Sequence, residues 1–277
     1  MSVRSFVKMS GAGNDFILID HRQPLLEVAA MPDFVRRVCR HRFSVGADGV
    51  IFIEASATAD FRWRFYNADG SLAEMCGNGA RCAARFAHLG GIAPARMRFE
   101  TLAGVVEAEV LGREVRVLLT PPRHLRLRQE IVVEGAPLTL HALDTGVPHA
   151  VVLVEDAANA AVVELGRRVR HHAAFAPRGT NVNFVALRPD GSLKVRTYER
   201  GVEDETHACG TGAVASALVC ASLGLLTPPV LVESSGGEQL QVHFEPPPAG
   251  TVPERVFLQG PALIIYRGEL DPEALAG

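Results

Sequence analysis

One short pattern occurs twice in this chain, and it constrains the fold more than any other feature. Residues 75–80 read Met-Cys-Gly-Asn-Gly-Ala and residues 208–213 read Ala-Cys-Gly-Thr-Gly-Ala. Each copy contains Cys-Gly-x-Gly-Ala, each opens an Ala-rich stretch, and each follows a strand-like run, Arg62 to Tyr66 and Lys194 to Tyr198. The two cysteines, Cys76 and Cys209, stand about half the chain apart. A chance match is a poor account of identities at matching places in matching elements. A duplication kept only for glycine packing explains the glycines but not the repeated cysteine. The pattern predicts two similar halves, each giving one cysteine to a shared cleft.

The stretches Gly77 to Leu89 and Gly210 to Leu223 read as helices surrounded by other structure, because they are Ala-rich and carry few charges. Asp33 to Arg40 and Ala157 to His171 read as amphipathic helices with basic faces. Most of the remainder reads as short strands, among them Phe16 to Asp20, Val50 to Glu54, Phe61 to Tyr66, Asn183 to Leu187 and Leu193 to Tyr198. The boundary between halves is expected near Pro121-Pro122. The expected fold is therefore mixed α/β.

The other bulk properties mainly exclude. The chain has 277 residues, enough for one large domain or two ordinary ones. With 28 basic and 31 acidic side chains, it offers no electrostatic case for nucleic acid or an anionic membrane as partner. No apolar run reaches the roughly 20 residues of a membrane helix, and Met1 to Asp20 lacks the charge-then-apolar plan of a signal peptide. A cytoplasmic location is the expectation. Five cysteines, an odd number with no Cys-x-x-Cys pair, argue against a disulfide framework or a structural zinc site. No metal and no cofactor are expected. Cys39, Cys82 and Cys220 read as buried fillers.

The placement of Cys76 and Cys209 suits proton transfer at carbon. A thiol acts as a base only as thiolate, and a helix N-terminus favours that form. The following glycines leave backbone N–H groups free to bind a carboxylate. An amino acid α-proton is very weakly acidic, and its removal pushes charge onto the adjacent carboxylate, where helix N-termini stabilise it. Inversion needs a base on one face and an acid on the other. One thiolate and one thiol supply both and can exchange roles.

Several further motifs accompany the repeat in order: Gly11-Ala12-Gly13-Asn14-Asp15-Phe16, Phe65-Tyr66-Asn67-Ala68-Asp69-Gly70-Ser71, Pro148-His149, Thr180-Asn181 and Tyr198-Glu199-Arg200-Gly201. With these the chain closely resembles the diaminopimelate epimerases over almost its full length. The resemblance implies two pseudo-symmetric domains, each a curved, mostly antiparallel sheet wrapped around a central helix, with the active site between them. Residues 1–122 would form the first domain, with 262–277 returning to it, and residues 123–261 the second. It implies interconversion of LL- and meso-2,6-diaminopimelate without pyridoxal phosphate or metal, in lysine and peptidoglycan precursor synthesis, by a homodimer. It places Asn14, Asn67, Asn181 and Arg200 at the distal amino acid head, where an arginine fork suits a carboxylate. It places Glu199 and His149 beside the reacting head, and the backbones of Gly77, Asn78, Gly210 and Thr211 at its carboxylate.

Two positions depart from the family pattern. Many members carry Asn where this chain has Val147, and some carry Gln where it has Gly49. Each loss removes one hydrogen bond of about 0.5–1.5 kcal/mol net. The competing readings are a related two-cysteine racemase or epimerase of another amino acid, a redox sensor pairing Cys76 with Cys209, and a silent amino acid-binding protein. Proline racemase-like relatives tend to have His where this chain has Asn78.

Overall fold

A computed structural model describes residues 5–248 and 251–275. Residues 1–4 and 276–277, the outermost parts of the expected first domain, lie outside the described residues.

The chain divides into two compact units, residues 1–117 with 260–277, and residues 118–259. The first division falls a few residues before Pro121-Pro122.

Unit 1 contains β1 (Ser5–Gly11), β2 (Asn14–Asp20), α1 (Met31–Val38), β3 (Gly49–Glu54), β4 (Phe61–Asn67), β5 (Leu72–Ala73), α2 (Gly77–Leu89), β6 (Arg96–Thr101), β7 (Gly104–Leu111) and β8 (Glu114–Leu118), whose last residue opens unit 2. Unit 2 follows with β9 (Arg123–Val133), β10 (Ala136–Asp144), β11 (Pro148–Leu153), α3 (Val162–Arg170), β12 (Asn181–Leu187), β13 (Leu193–Glu199), β14 (Asp204–Thr206), α4 (Gly210–Ser222), β15 (Val230–Glu233), β16 (Gln239–Phe244) and β17 (Val256–Pro261). The chain then returns to unit 1 as β18 (Leu263–Glu269), which pairs antiparallel with β1.

The two units repeat one topology. In unit 1 the strands lie in the order β18-β1-β2-β3-β4-β6-β7-β8, with β5 sharing an edge of β4. In unit 2 the order is β9-β10-β11-β12-β13-β15-β16-β17, with β14 on an edge of β13. Within these orders only β2–β3 and β4–β6 in the first, and β11–β12 and β13–β15 in the second, are parallel. Register makes the correspondence residue by residue. Val50 faces Tyr66 across β3 and β4 as Val182 faces Tyr198 across β12 and β13, and Phe16 aligns with Gly49 as His149 aligns with Asn181.

In each unit the central strands are buried on both faces. One curls over a central helix, α2 or α4. The other packs under the crossover helix, α1 against Ile17, Ile19, Val50, Phe52 and Tyr66, and α3 against Val152, Val182, Phe184 and Tyr198. A strand buried on both sides cannot alternate, which is why Phe16–Ile19 and Val50–Ile53 are continuous apolar runs. Each such side chain contributes about 1.5–3 kcal/mol on burial.

The structure differs from the sequence expectation in two elements. The pattern over Ala157 to His171 predicts one helix, but α3 begins only at Val162. Arg196 Nη1 donates to the carbonyls of Ala157, Ala158 and Ala160, and Asp156 caps the backbone of Ala158, so this segment spends its polar groups elsewhere. The long hairpin of β9 and β10 is not among the strands named from the sequence, although β9 alternates Leu with Arg at period two and remains half exposed.

Candidate active site

The architecture sets Cys76 and Cys209 at equivalent places. Each is the N-cap residue of the central helix of its unit, with an extended backbone, φ −149° and ψ 119° for Cys76, φ −117° and ψ 105° for Cys209. Gly79 N–H donates to Cys76 Sγ at 3.4 Å, and Cys209 Sγ lies 3.5 Å from Thr211 Oγ1. As whole residues Cys76 and Cys209 are partly exposed, whereas Cys39, Cys82 and Cys220 are buried. Burial pushes these three thiols up to about 12, as expected of inert fillers.

Gly77 and Asn78, like Gly210 and Thr211, form the first turn of their helices, where N–H groups have no preceding carbonyl to bond. Those of Gly77, Asn78 and Gly210 are open to an anion, while the Thr211 N–H already faces Cys209 Sγ. The Thr211 carbonyl accepts from Thr145 Oγ1 at 3.1 Å, which ties the start of α4 to the β10–β11 turn.

The floors beneath the two helix starts differ. In unit 1 it is apolar: Phe16, Ile51 and Phe65, with Phe16 and Phe65 in edge contact. In unit 2 the same three positions hold His149, Asn183 and Thr197, all buried. Asn183 Nδ2 donates to the Ala150 carbonyl and reaches His149 Nδ1, both at 3.1 Å, and Thr197 Oγ1 donates to Asn183 Oδ1 at 2.9 Å. His149 Nε2 has no hydrogen-bond partner among the described residues. Burial lowers the His149 pKa to about 3, so the ring is neutral. Asn183 and Thr197 escape a sequence reading because they lie inside ordinary strand runs. Their only signal is a polar side chain at a position that should face the core.

Cys209 does not follow the helix-terminus expectation. Burial pushes its thiol up to about 12, the Glu199 carboxylate adds repulsion, and the Thr211 hydroxyl pulls the other way. The crevice beside it, lined by Thr197, Thr206, His207 and Ser235, holds only about 10 Å³, little more than one water. Desolvation there outweighs the helix dipole. Alkylation of Cys209 in the substrate-free protein is therefore expected to be slow at neutral pH and to keep accelerating beyond pH 10. Mass spectrometry of the Cys209 peptide after timed iodoacetamide exposure measures this, and a rate that levels off near pH 8 would contradict it.

Glu199, at the end of β13, is also raised by burial, while Thr206 Oγ1 donates to it at 2.8 Å. Its neighbour Arg200 donates its backbone N–H to Asn181 Oδ1 at 2.8 Å and its Nη1 to the Arg178 carbonyl at 3.2 Å. Asn181 is buried, and its Nδ2 holds the Pro148 carbonyl at 3.1 Å. Each of its polar atoms thus keeps one further hydrogen-bonding position. Pro148 and His149 also border a cavity of about 430 Å³ with Asp144 and Thr180.

In unit 1, Asn14 follows the tight turn at Ala12 and Gly13, where φ is 54° and 91°. Its side chain meets Asn78 and Asp48. Asn67 closes β4 exposed, with Nδ2 donating to Ser71 Oγ at 3.0 Å. At Gly49 a Cβ would stand 2.4 Å from the Tyr66 carbonyl oxygen, so in this chain that position excludes a side chain unless β4 shifts. Among the described residues, no group of three His, Cys, Asp or Glu side chains is placed to hold a metal, and no helix is long and apolar enough to cross a membrane.

The family model described as diaminopimelate epimerase matches residues 6–125 and 141–246. A diaminopimelate epimerase of Aquifex aeolicus (strain VF5) is 47% identical over 98% of this chain and 99% of its own. One from Hydrogenobaculum sp. (strain Y04AAS1) is 44% identical over 96% and 98%. Among solved structures, a hydroxyproline epimerase from Agrobacterium vitis superposes with a TM-score of 0.67 at 16% identity, covering 99% of this chain and 94% of that one. A phenazine biosynthesis protein of Enterococcus faecalis gives 0.71 at 14%, covering 97% and 99%. At such identities the structural likeness concerns the fold.

Proposed function

Since the chain belongs to the diaminopimelate epimerase family, we propose that it interconverts LL- and meso-2,6-diaminopimelate by a two-base reaction in which Cys76 and Cys209 take opposite faces of the α-carbon. The observation that carries this reading is the pair of cysteines at matching helix N-caps, one per unit. One thiolate removes the α-proton, the electron pair left on carbon delocalises into the carboxylate, and the opposite thiol delivers its proton to the other face. The second sulfur ends as thiolate, a form ready for the reverse reaction, and exchange of one proton with solvent returns the pair to the form that runs forward again. Neither redox change nor a further reactant enters this balance.

The N–H groups of Gly77, Asn78, Gly210 and Thr211 hold the carboxylate as charge develops. Glu199 takes the α-ammonium of the reacting head. Its carboxylate joins burial in raising the Cys209 thiol, so pairing it with a cation removes that repulsion when substrate binds. Neutral His149 lies beside the same head. Asn14, Asn67, Asn181 and Arg200 recognise the distal head, whose second charge pair distinguishes this substrate from proline. The product supplies lysine and peptidoglycan precursor synthesis in the cytoplasm, and the active form is a homodimer.

Proton NMR of LL-diaminopimelate in D₂O with reduced protein and no added cofactor tests the proposal. The α-proton signal is expected to disappear as the meso isomer forms, while proline and monofunctional amino acids keep theirs. Exchange confined to another amino acid would replace the substrate. No exchange by protein with free thiols would reject the function.

A further inference from the structure

Arg81 lies one turn into α2, fully buried, and makes no ion pair among the described residues. Its Nε donates to the Pro261 carbonyl at 3.3 Å and its Nη2 to Asn78 Oδ1 at 2.8 Å, while Nη1 has no acceptor among the described residues. A buried cation that meets only neutral acceptors is costly unless its charge is compensated nearby.

The guanidinium lies within electrostatic reach of the Cys82 and Cys76 sulfurs, and its Nη2 contact leads on through two amides to a carboxylate. Asn78 Nδ2 donates to Asn14 Oδ1 at 2.7 Å, and Asn14 Nδ2 donates to Asp48 Oδ2 at 2.9 Å. The chain runs from the interior to an exposed carboxylate, which also accepts the Asp15 backbone N–H. Guanidinium can only donate and carboxylate can only accept. With a donor-only group at one end and an acceptor-only group at the other, both amides between them have one permitted orientation. Aligned amide dipoles between opposite charges also polarise one another. Unit 2 lacks this device, because the positions matching Asn78 and Arg81 hold Thr211 and Val214.

We propose that Arg81 and Asp48 are positioning residues that act through this hydrogen-bonded chain. They lock the side-chain amides of Asn78 and Asn14, and so fix which N–H and which oxygen lone pair the unit 1 site presents to an amino acid head. The proposal rests on the epimerase reading for its substrate, but the orientation of the amides does not depend on it.

Direction set from both ends makes an unusual prediction. Arg81→Gln removes the donor-only end and Asp48→Asn the acceptor-only end, yet after either change the remaining end still enforces the orientation. Only the double variant lets both amides turn over. Each single variant is expected to lower kcat/KM for diaminopimelate by less than about tenfold, and the double variant by at least about tenfold more than the product of the two. Arg81→Lys, which keeps a donor-only end, should restore most of the loss when paired with Asp48→Asn. A merely structural role gives losses that multiply, and that result would overturn the proposal. A readout free of substrate and variants uses native ¹⁵N-labelled protein. The side-chain amides of Asn14 and Asn78 should each give one pair of resonances with one proton protected from solvent exchange, and rapid exchange of both protons would equally reject it. If wild type fails to turn over diaminopimelate while these amides remain locked, the substrate is wrong and the positioning role stands.

Discussion

Replacing either Cys76 or Cys209 by alanine is expected to lower epimerisation by at least roughly 10³-fold, within the range that a positioned general acid or base contributes. One sulfur alone can bind or labilise the α-proton but returns it to the face it left. The fold should survive both changes. Both residues are partly exposed as a whole, and sulfur is a weak acceptor for the Gly79 N–H, so the structural loss is that of a weak cap, about 1 kcal/mol. Turnover is read by the appearance of meso product and folding by the thermal midpoint. A single variant that keeps a tenth of wild-type turnover would end the two-base mechanism, whereas a collapse of the midpoint would make the thiols structural.

The second large effect should separate two glycines that look equivalent in sequence. A Cβ at Gly212 would sit 2.3 Å from Asn183 Oδ1 and 3.2 Å from both Cys209 Sγ and Thr197 Oγ1. Asn183 cannot withdraw, because His149, the Ala150 carbonyl and Thr197 hold it. The start of α4 must move instead, taking the Cys209 thiol with it. Gly212→Ala is expected to cost about 1–3 kcal/mol of stability and most of the activity. At Gly79 the added Cβ meets the flexible end of Ile51 at 3.2 Å and the Trp63 ring at 3.5 Å. Ile51 can rotate, and the gain of about 0.8–1 kcal/mol in helix propensity offsets the crowding, so Gly79→Ala should be nearly neutral. Denaturant unfolding of the two variants compares them directly. Equal losses would mean that the polar floor of unit 2 is as yielding as the apolar floor of unit 1.

Much of the architecture is legible in the order of the residues. The start of α2 at Gly77 and of α4 at Gly210 follows from Cys-Gly-x-Gly-Ala, because cap and first turn are set within a few residues. The strands buried on both faces announce themselves as apolar runs. The strand β9 is not an apolar run, since Leu125 and Leu127 alternate with Arg126 and Arg128, and its pairing with β10 supplies the ladder. The late start of α3 is hidden, because the group that claims its carbonyls, Arg196, comes from a distant strand.

The same division of labour runs through the site. Sequence alone determined that this chain contains two copies of one unit, that each copy offers a cysteine at a helix start, and which polar residues follow the surrounding strands, because all of that is encoded in short-range order. Tertiary structure decided what surrounds each cysteine. Only strand register sets Phe16, Ile51 and Phe65 under one helix and His149, Asn183 and Thr197 under the other. Only the packing of β1, β2 and the β3 approach against α2 joins Arg81 to Asp48 through Asn78 and Asn14. The thiol of Cys209 is raised by burial although the helix terminus favours the opposite shift. Desolvation and hydrogen-bond direction depend on atoms brought together from far along the chain, and no local pattern of residues carries that information.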